Sequence, residues 1–171
     1  MKFSLLLPAL LLTQNVNTCN KHAPVITATK TSSTTTADTG FATAIQQIFY
    51  YTNLERQQAH LQPLTLNDKL TAVADNYVGL MVKENEFSHE INGQTLPMRF
   101  SAAGYTWRYI AENIAASSDL DGKTAVENEW MHSPGHRANI LNKNYTEIGI
   151  GIAYSKKLNL YYYCQDFGQP R

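Results

Sequence analysis

The chain has 171 residues, enough for one domain with a substantial core. Lys plus Arg equal Asp plus Glu at 14 each, so no basic footprint marks a nucleic-acid partner. The hydrophobic fraction of 43% and the charged fraction of 16% are those of a globular protein, and no basic amphipathic stretch points to a membrane-surface helix.

The N-terminus reads as an export signal over residues 1–18. Lys2 supplies a positive start, and Phe3 to Leu12 is an apolar run broken only by Ser4 and Pro8. Polar residues follow, and the run is too short to span a bilayer as a stable helix. The mature chain is therefore read without a transmembrane segment, and its expected location is extracellular or periplasmic. Residues 19–40 are rich in Thr and Ser and read as a disordered linker, leaving 41–171 as the folded domain. Cys19 and Cys164 leave three readings open: lipidation of Cys19, a disulfide between the two, or two unpaired thiols. Asn17 and Thr18 match a lipoprotein signal poorly.

Within the domain, Ile45, Ile48, Phe49 and Thr52 recur at helical spacing over Phe41 to His60, ended by Gln62-Pro63-Leu64. A second helix is predicted over Leu70 to Lys83, capped by Asn67 or Thr65, with Leu70, Val73, Ala74, Tyr77 and Met81 as a core stripe. Phe87-Ser88-His89 leaves that helix, and Ile91-Asn92-Gly93 marks a turn. A short helix covers Pro97 to Ala103, stopped by Gly104. Tyr105 to Ala115 is left unassigned. A helix over Lys123 to Met131 buries Ala125, Val126 and Trp130 and ends at Ser133-Pro134-Gly135. Alternating Ile148, Ile150 and Ile152 and the aromatic run Leu160 to Phe167 are read as an antiparallel hairpin. Helices clustered ahead of a hairpin give an α+β layered domain.

Three polar residues stand out in connecting segments: His89, Glu112 and His136. Two imidazoles and a carboxylate can make an acid–base set or ligands for a divalent ion. Spacing alone does not separate this trio from unrelated polar residues, since the chain has 5 His. His132 and His136 form an H-x-x-x-H pair, but Pro134 and Gly135 interrupt the helix and no Glu follows the first His, so a zinc-protease reading fails. His132 is read as an exposed helix-end residue. No G-x-S-x-G is present, and Ser88 is read as a turn serine.

The order of these segments resembles the CAP superfamily of its bacterial type, the cysteine-rich secretory, antigen 5 and pathogenesis-related-1 group. The resemblance runs through Asn53-x-x-Arg56, Phe87-Ser88-His89, Ala103-Gly104-Tyr105, Ala111-Glu112-Asn113-Ile114-Ala115, Trp130-Met131-x-Ser133-Pro134-Gly135-His136-Arg137-x-Asn139-Ile140-Leu141, Gly149-Ile150-Gly151 and Gln165-x-Phe167-Gly168. It implies an α–β–α sandwich around a central antiparallel sheet. It also implies a cleft over two histidines and two acidic residues, of which His89, Glu112 and His136 match three. Ser133 stands where the second acidic residue is expected, and Glu127 and Glu129 lie nearby without matching. Some relatives hold zinc or a similar ion through the two histidines, so His89 and His136 are the expected ligands of a weakly bound divalent ion. Asn53, Arg56, Asn113, Arg137 and Asn139 are expected to tie loops to backbone groups.

These readings favour an exported binding or scaffold module for a lipid, glycan or peptide ligand. A hydrolase, metal-assisted or using His89 or His136 as base with Glu112 orienting it, and a structural domain with a loop-tying metal, are the alternatives.

Overall fold

The computed structural model describes residues 36–171. The expected signal peptide, Cys19 and most of the linker lie outside them.

Helix α1 (Thr36–Gln58) begins within the segment read as linker. Its buried stripe is Ala44, Ile48, Thr52 and Arg56, one residue per turn, with Ile45 and Phe49 partly buried beside it. Strand β1 (Thr65–Leu66) is a two-residue edge. Helix α2 (Asp68–Glu84) is capped by Asn67, whose side chain accepts from the Lys69 and Leu70 amides, and it stops at Asn85 in the left-handed conformation, φ 55°. Helix α3 (Leu96–Ala102) carries Pro97 in its first turn and is followed by Gly104 at φ 66°.

The unassigned stretch is strand β2 (Trp107–Ser117). Its alternation is hidden because it is an edge strand whose inward positions include Glu112 and Asn113. Helix α4 (Gly122–Thr124) runs directly into a π-helical turn, Ala125–Trp130. The π form is seen in the i→i+5 bond from the Met131 amide to the Val126 carbonyl, and the turn buries Ala125, Val126 and Trp130. Ser133-Pro134-Gly135 ends that turn but also opens helix α5 (Pro134–Ile140), with Pro134 in its first turn. Strands β3 (Glu147–Ser155) and β4 (Leu160–Pro170) form the expected hairpin.

The sheet order is β1-β3-β4-β2. β2, β4 and β3 are antiparallel, and β1 adds a short parallel pairing to β3, so the sheet is mixed at one edge. One face packs Ile148, Ile150, Tyr163 and Phe167 against α1, the π turn and α5. The other packs Cys164, Tyr162 and Ile114 against Tyr77 and Met81 of α2, beside a cluster of Leu70, Val73, Phe100 and Tyr105. The domain is an α–β–α sandwich. Gly149 and Gly151 let α2 lie directly on β3, since a Cβ on Gly149 would sit 2.0 Å from the Leu70 carbonyl carbon. Cys164 is a fully buried free thiol.

Buried polar side chains lock this arrangement. Arg56 donates to the carbonyls of Gln62, Ile140, Asn142 and Tyr145, at 2.8 to 3.1 Å, and so closes the C-terminal end of α5. Asn53 exchanges two hydrogen bonds with the Leu64 backbone. Arg137, expected to act in the same way, is exposed, and its side chain makes no hydrogen bond or ion pair among the described residues.

Candidate functional site

The site is built on the edge strand β2, whose alternation sends neighbouring residues to opposite faces. Glu112 points to the α2 face, in register with Asp166, while Asn113 points to the α1 face, where it bonds Gln165. Gln165 in turn donates to Thr52 of α1.

His89 lies in the loop that follows α2. That loop is braced at three consecutive residues: Phe87 stacks on Tyr162 with centroids 5.8 Å apart, the Tyr77 hydroxyl donates to the Ser88 carbonyl at 2.6 Å, and Arg99 donates to the His89 carbonyl at 3.1 Å. The imidazole is turned so that Nδ1 is 2.9 Å from Glu112 Oε1, yet the His89 side chain remains 57% exposed. A carboxylate is an acceptor, so the neutral imidazole carries its proton on Nδ1 and leaves the Nε2 lone pair free.

Glu112 is itself buried, and its other oxygen forms an ion pair with Arg99 Nη2. The Cys164 thiol donates weakly to the same oxygen at 3.6 Å. Tyr77 lies under the Arg99 guanidinium, and burial pushes its phenol up to about 12.

His136 comes from the first turn of α5, which is sewn to β2 by amide side chains. Asn113 donates to the His136 carbonyl at 3.1 Å, and Asn139 donates to the Glu112 carbonyl and to Asn113 Oδ1. His136 Nδ1 is buried without a hydrogen-bond partner. Burial first, then repulsion from His89, holds its imidazole below the ordinary value. The structure therefore brings His89 and Glu112 into contact and sets His136 within electrostatic reach of His89.

The other nearby groups do not join them. Ser133 sits at the N-cap position of α5 without a capping bond. Glu127 pairs with Lys123, and Glu129 is exposed. His132 is exposed and bonds the Glu127 carbonyl at 2.7 Å.

Three participants had little or no signal in the sequence. Arg99, on a short helix, is buried. Cys164 and Asp166 lie behind Glu112, with ligand atoms of the three within 4.8 Å of one another. Neither Asp166 oxygen has a hydrogen-bond partner in normal geometry. Burial, then the Glu112 charge, pushes its carboxyl well above the usual range and so favours the protonated form. A charged residue in the aromatic strand Leu160 to Phe167 was the available signal. Burial likewise pushes the Cys164 thiol up, which makes it inert as a nucleophile. A cavity of about 600 Å³ between α2 and α3 is lined in part by Tyr77 and Arg99, and neither histidine lines it.

The profile of the cysteine-rich secretory protein family, CAP, matches residues 49–167. The uncharacterized protein YkwD of Bacillus subtilis is 35% identical over 140 residues, covering 81% of this chain and 53% of the relative. The uncharacterized membrane protein YlbC of the same bacterium is 33% identical over 126 residues, covering 73% of this chain and 34% of the relative. The chain thus spans about half or less of the length of these relatives. An extracellular protein of Bacillus anthracis containing an SCP domain superposes with a TM-score of 0.68 at 32% identity, over 75% of this chain and 41% of that one. An outer surface protein of Borrelia burgdorferi gives 0.69 at 21% identity, over 75% and 94% of the two chains, a likeness of fold.

Proposed function

Because the chain belongs to the cysteine-rich secretory protein (CAP) family, we propose that it is an exported binding module whose His89–Glu112–His136 cluster presents a weakly held divalent ion to a lipid, glycan or peptide ligand. The observation that carries this reading is the 2.9 Å bond from His89 Nδ1 to Glu112, which frees Nε2 on an exposed imidazole. Histidine ligands characteristically use one nitrogen for a metal and the other for a carboxylate.

The residues present fit such an ion. His136 is kept neutral by its surroundings and carries a buried Nδ1 without a partner, and a neutral imidazole is the form that ligates. His89 and His136 would hold the ion, and with Ser133 offering no charge, water would complete the shell; four protein ligands are usual for structural zinc. A bound ion would supply Lewis acidity toward an oxygen of the ligand. The exposure of His89 speaks against a site that merely ties loops together.

The His89–Glu112 bond would equally serve an acid–base hydrolase. A covalent mechanism has less support, because among the described residues no serine, threonine or cysteine bonds to either imidazole; binding is the reading we put forward, and water activation by His89 is the alternative. Export is supported by the apolar run after Lys2 and by relatives described as extracellular or outer-surface proteins. Among the described residues no helix is long and apolar enough to cross a membrane. Two measurements test the reading. Mass spectrometry of the exported product should find a new N-terminus between Thr13 and Ala28, and an intact Met1 would contradict export by this route. Equilibrium dialysis against zinc chloride at pH 7 should show uptake of one ion per chain, and its absence would remove the ion.

A further inference from the structure

Arg99 touches both partners of the histidine–carboxylate pair at once. Its Nη2 forms the ion pair with Glu112 Oε2, while Nη1 donates to the His89 carbonyl at 3.1 Å and to the Gln94 carbonyl at 2.9 Å. The guanidinium carbon lies 3.4 Å from the centroid of the Tyr77 ring, and the Tyr77 hydroxyl holds Ser88, the residue before His89. The Arg99 side chain is 6% exposed, so water offers it few competing partners.

These contacts close a ring of three residues. The His89 imidazole spans from its own backbone to Glu112 Oε1, and Arg99 spans from that same backbone to Glu112 Oε2. A guanidinium is planar and its donors sit in a fixed fork, so bonding both targets sets the position of one relative to the other. Without it, the Glu112 carboxylate could rotate and the His89 loop could move away from β2. Arg99 lies behind both groups, out of the way of the exposed edge of His89.

We propose that Arg99 is the positioning residue of this site: by holding the Glu112 carboxylate and the His89 main chain together, it keeps the imidazole proton on Nδ1 and aims Nε2 outward as the nitrogen that takes a divalent ion. The affinity consequence rests on the ion site proposed above; the tautomer consequence does not. Loss of an outer partner of a metal-binding histidine typically lowers affinity about 10–100-fold.

Arg99→Lys in the full chain is the test, because it keeps the charge but offers one nitrogen in place of a fork. Long-range ¹⁵N–¹H spectra of the His89 ring report the tautomer, zinc chloride titration at pH 7 reports affinity, and far-ultraviolet circular dichroism reports folding. The parent should show a single Nδ1–H tautomer. The folded variant should show mixed tautomers and a zinc affinity about 10–100-fold lower. A folded variant with the parent's tautomer and affinity would overturn the proposal. If the variant does not fold, the parent decides: separately resolved Arg99 Nη resonances support the fork, and a single averaged resonance overturns it. If the parent takes no zinc, the ion site fails, and the tautomer comparison still decides the role of Arg99.

Discussion

Glu112 and Arg99 are a buried ion pair directly behind an exposed histidine: their side chains are 3% and 6% exposed, against 57% for His89. Two charges withdrawn from water depend on each other, while the imidazole in front of them does not depend on either for its solvation.

Stability should divide along that line. Glu112→Ala leaves Arg99 buried and unpaired and should cost about 3–5 kcal/mol. His89→Ala removes a largely exposed group and should cost under about 1 kcal/mol. Urea unfolding followed by circular dichroism measures both. Similar losses in the two variants would mean that the pair is not the buried anchor of the loop.

Asp166 gives a pH dependence of known sign. Its folded carboxyl is held well above the usual range by burial and by Glu112. Above the unfolded value, near 3.9, the unfolded chain releases this proton and the folded chain keeps it, so stability falls as pH rises toward the folded value. Asp166→Asn removes the titration and keeps the shape. It should melt at a higher temperature than the parent at pH 8, with the gap narrowing toward pH 4. A constant gap across that range would show that Asp166 carries no extra proton.

The sheet–helix contact is equally specific. Gly149→Ala would drive a methyl group into the Leu70 backbone, and Gly151→Ala would bring one within 2.4 Å of the Ala74 carbonyl carbon. Neither backbone can yield without lifting α2 off the sheet, so each should cost about 3 kcal/mol or more, at the high end for overpacking. Thermal melts of the two variants check this, and unchanged melting would show that α2 can slide.

The glycine alternation in β3 and the apolar stripe of α2 were legible because both follow a simple period, the isoleucines of β3 facing one layer and its glycines the other. Edge strand β2 was not, because both of its faces are covered over Glu112 to Ala115, and Glu112 and Asn113 put a polar residue on each of them. Helix α5 was hidden by Ser133-Pro134-Gly135, which stops one helix and starts the next with the same residues. The π turn escaped notice because Ala125, Val126 and Trp130 look like an ordinary helical face. His89, Glu112 and His136 could be named from the resemblance, but of the three expected in connecting segments only His89 lies in one, Glu112 being within β2 and His136 in the first turn of α5. Arg99 could not, since a charged residue on a short helix gives no local sign that a buried carboxylate will meet it, and Asp166 offered only its charge within an aromatic strand.

On the function proposed here, His89 and His136 hold a divalent ion on a domain that folds without it. Calorimetric titration of the full chain with zinc chloride at pH 7 tests it most directly, run on the parent and on His89→Ala, His136→Ala and His132→Ala. The parent should bind one zinc weakly, the first two variants should lose binding, and His132→Ala should keep it, since His132 is turned to the Glu127 carbonyl. Binding should weaken on acidification as the imidazoles take up protons, with the His136 share of that loss displaced below the ordinary value near 6.5. No binding by the parent at millimolar zinc, or equal loss in His132→Ala, would contradict the account.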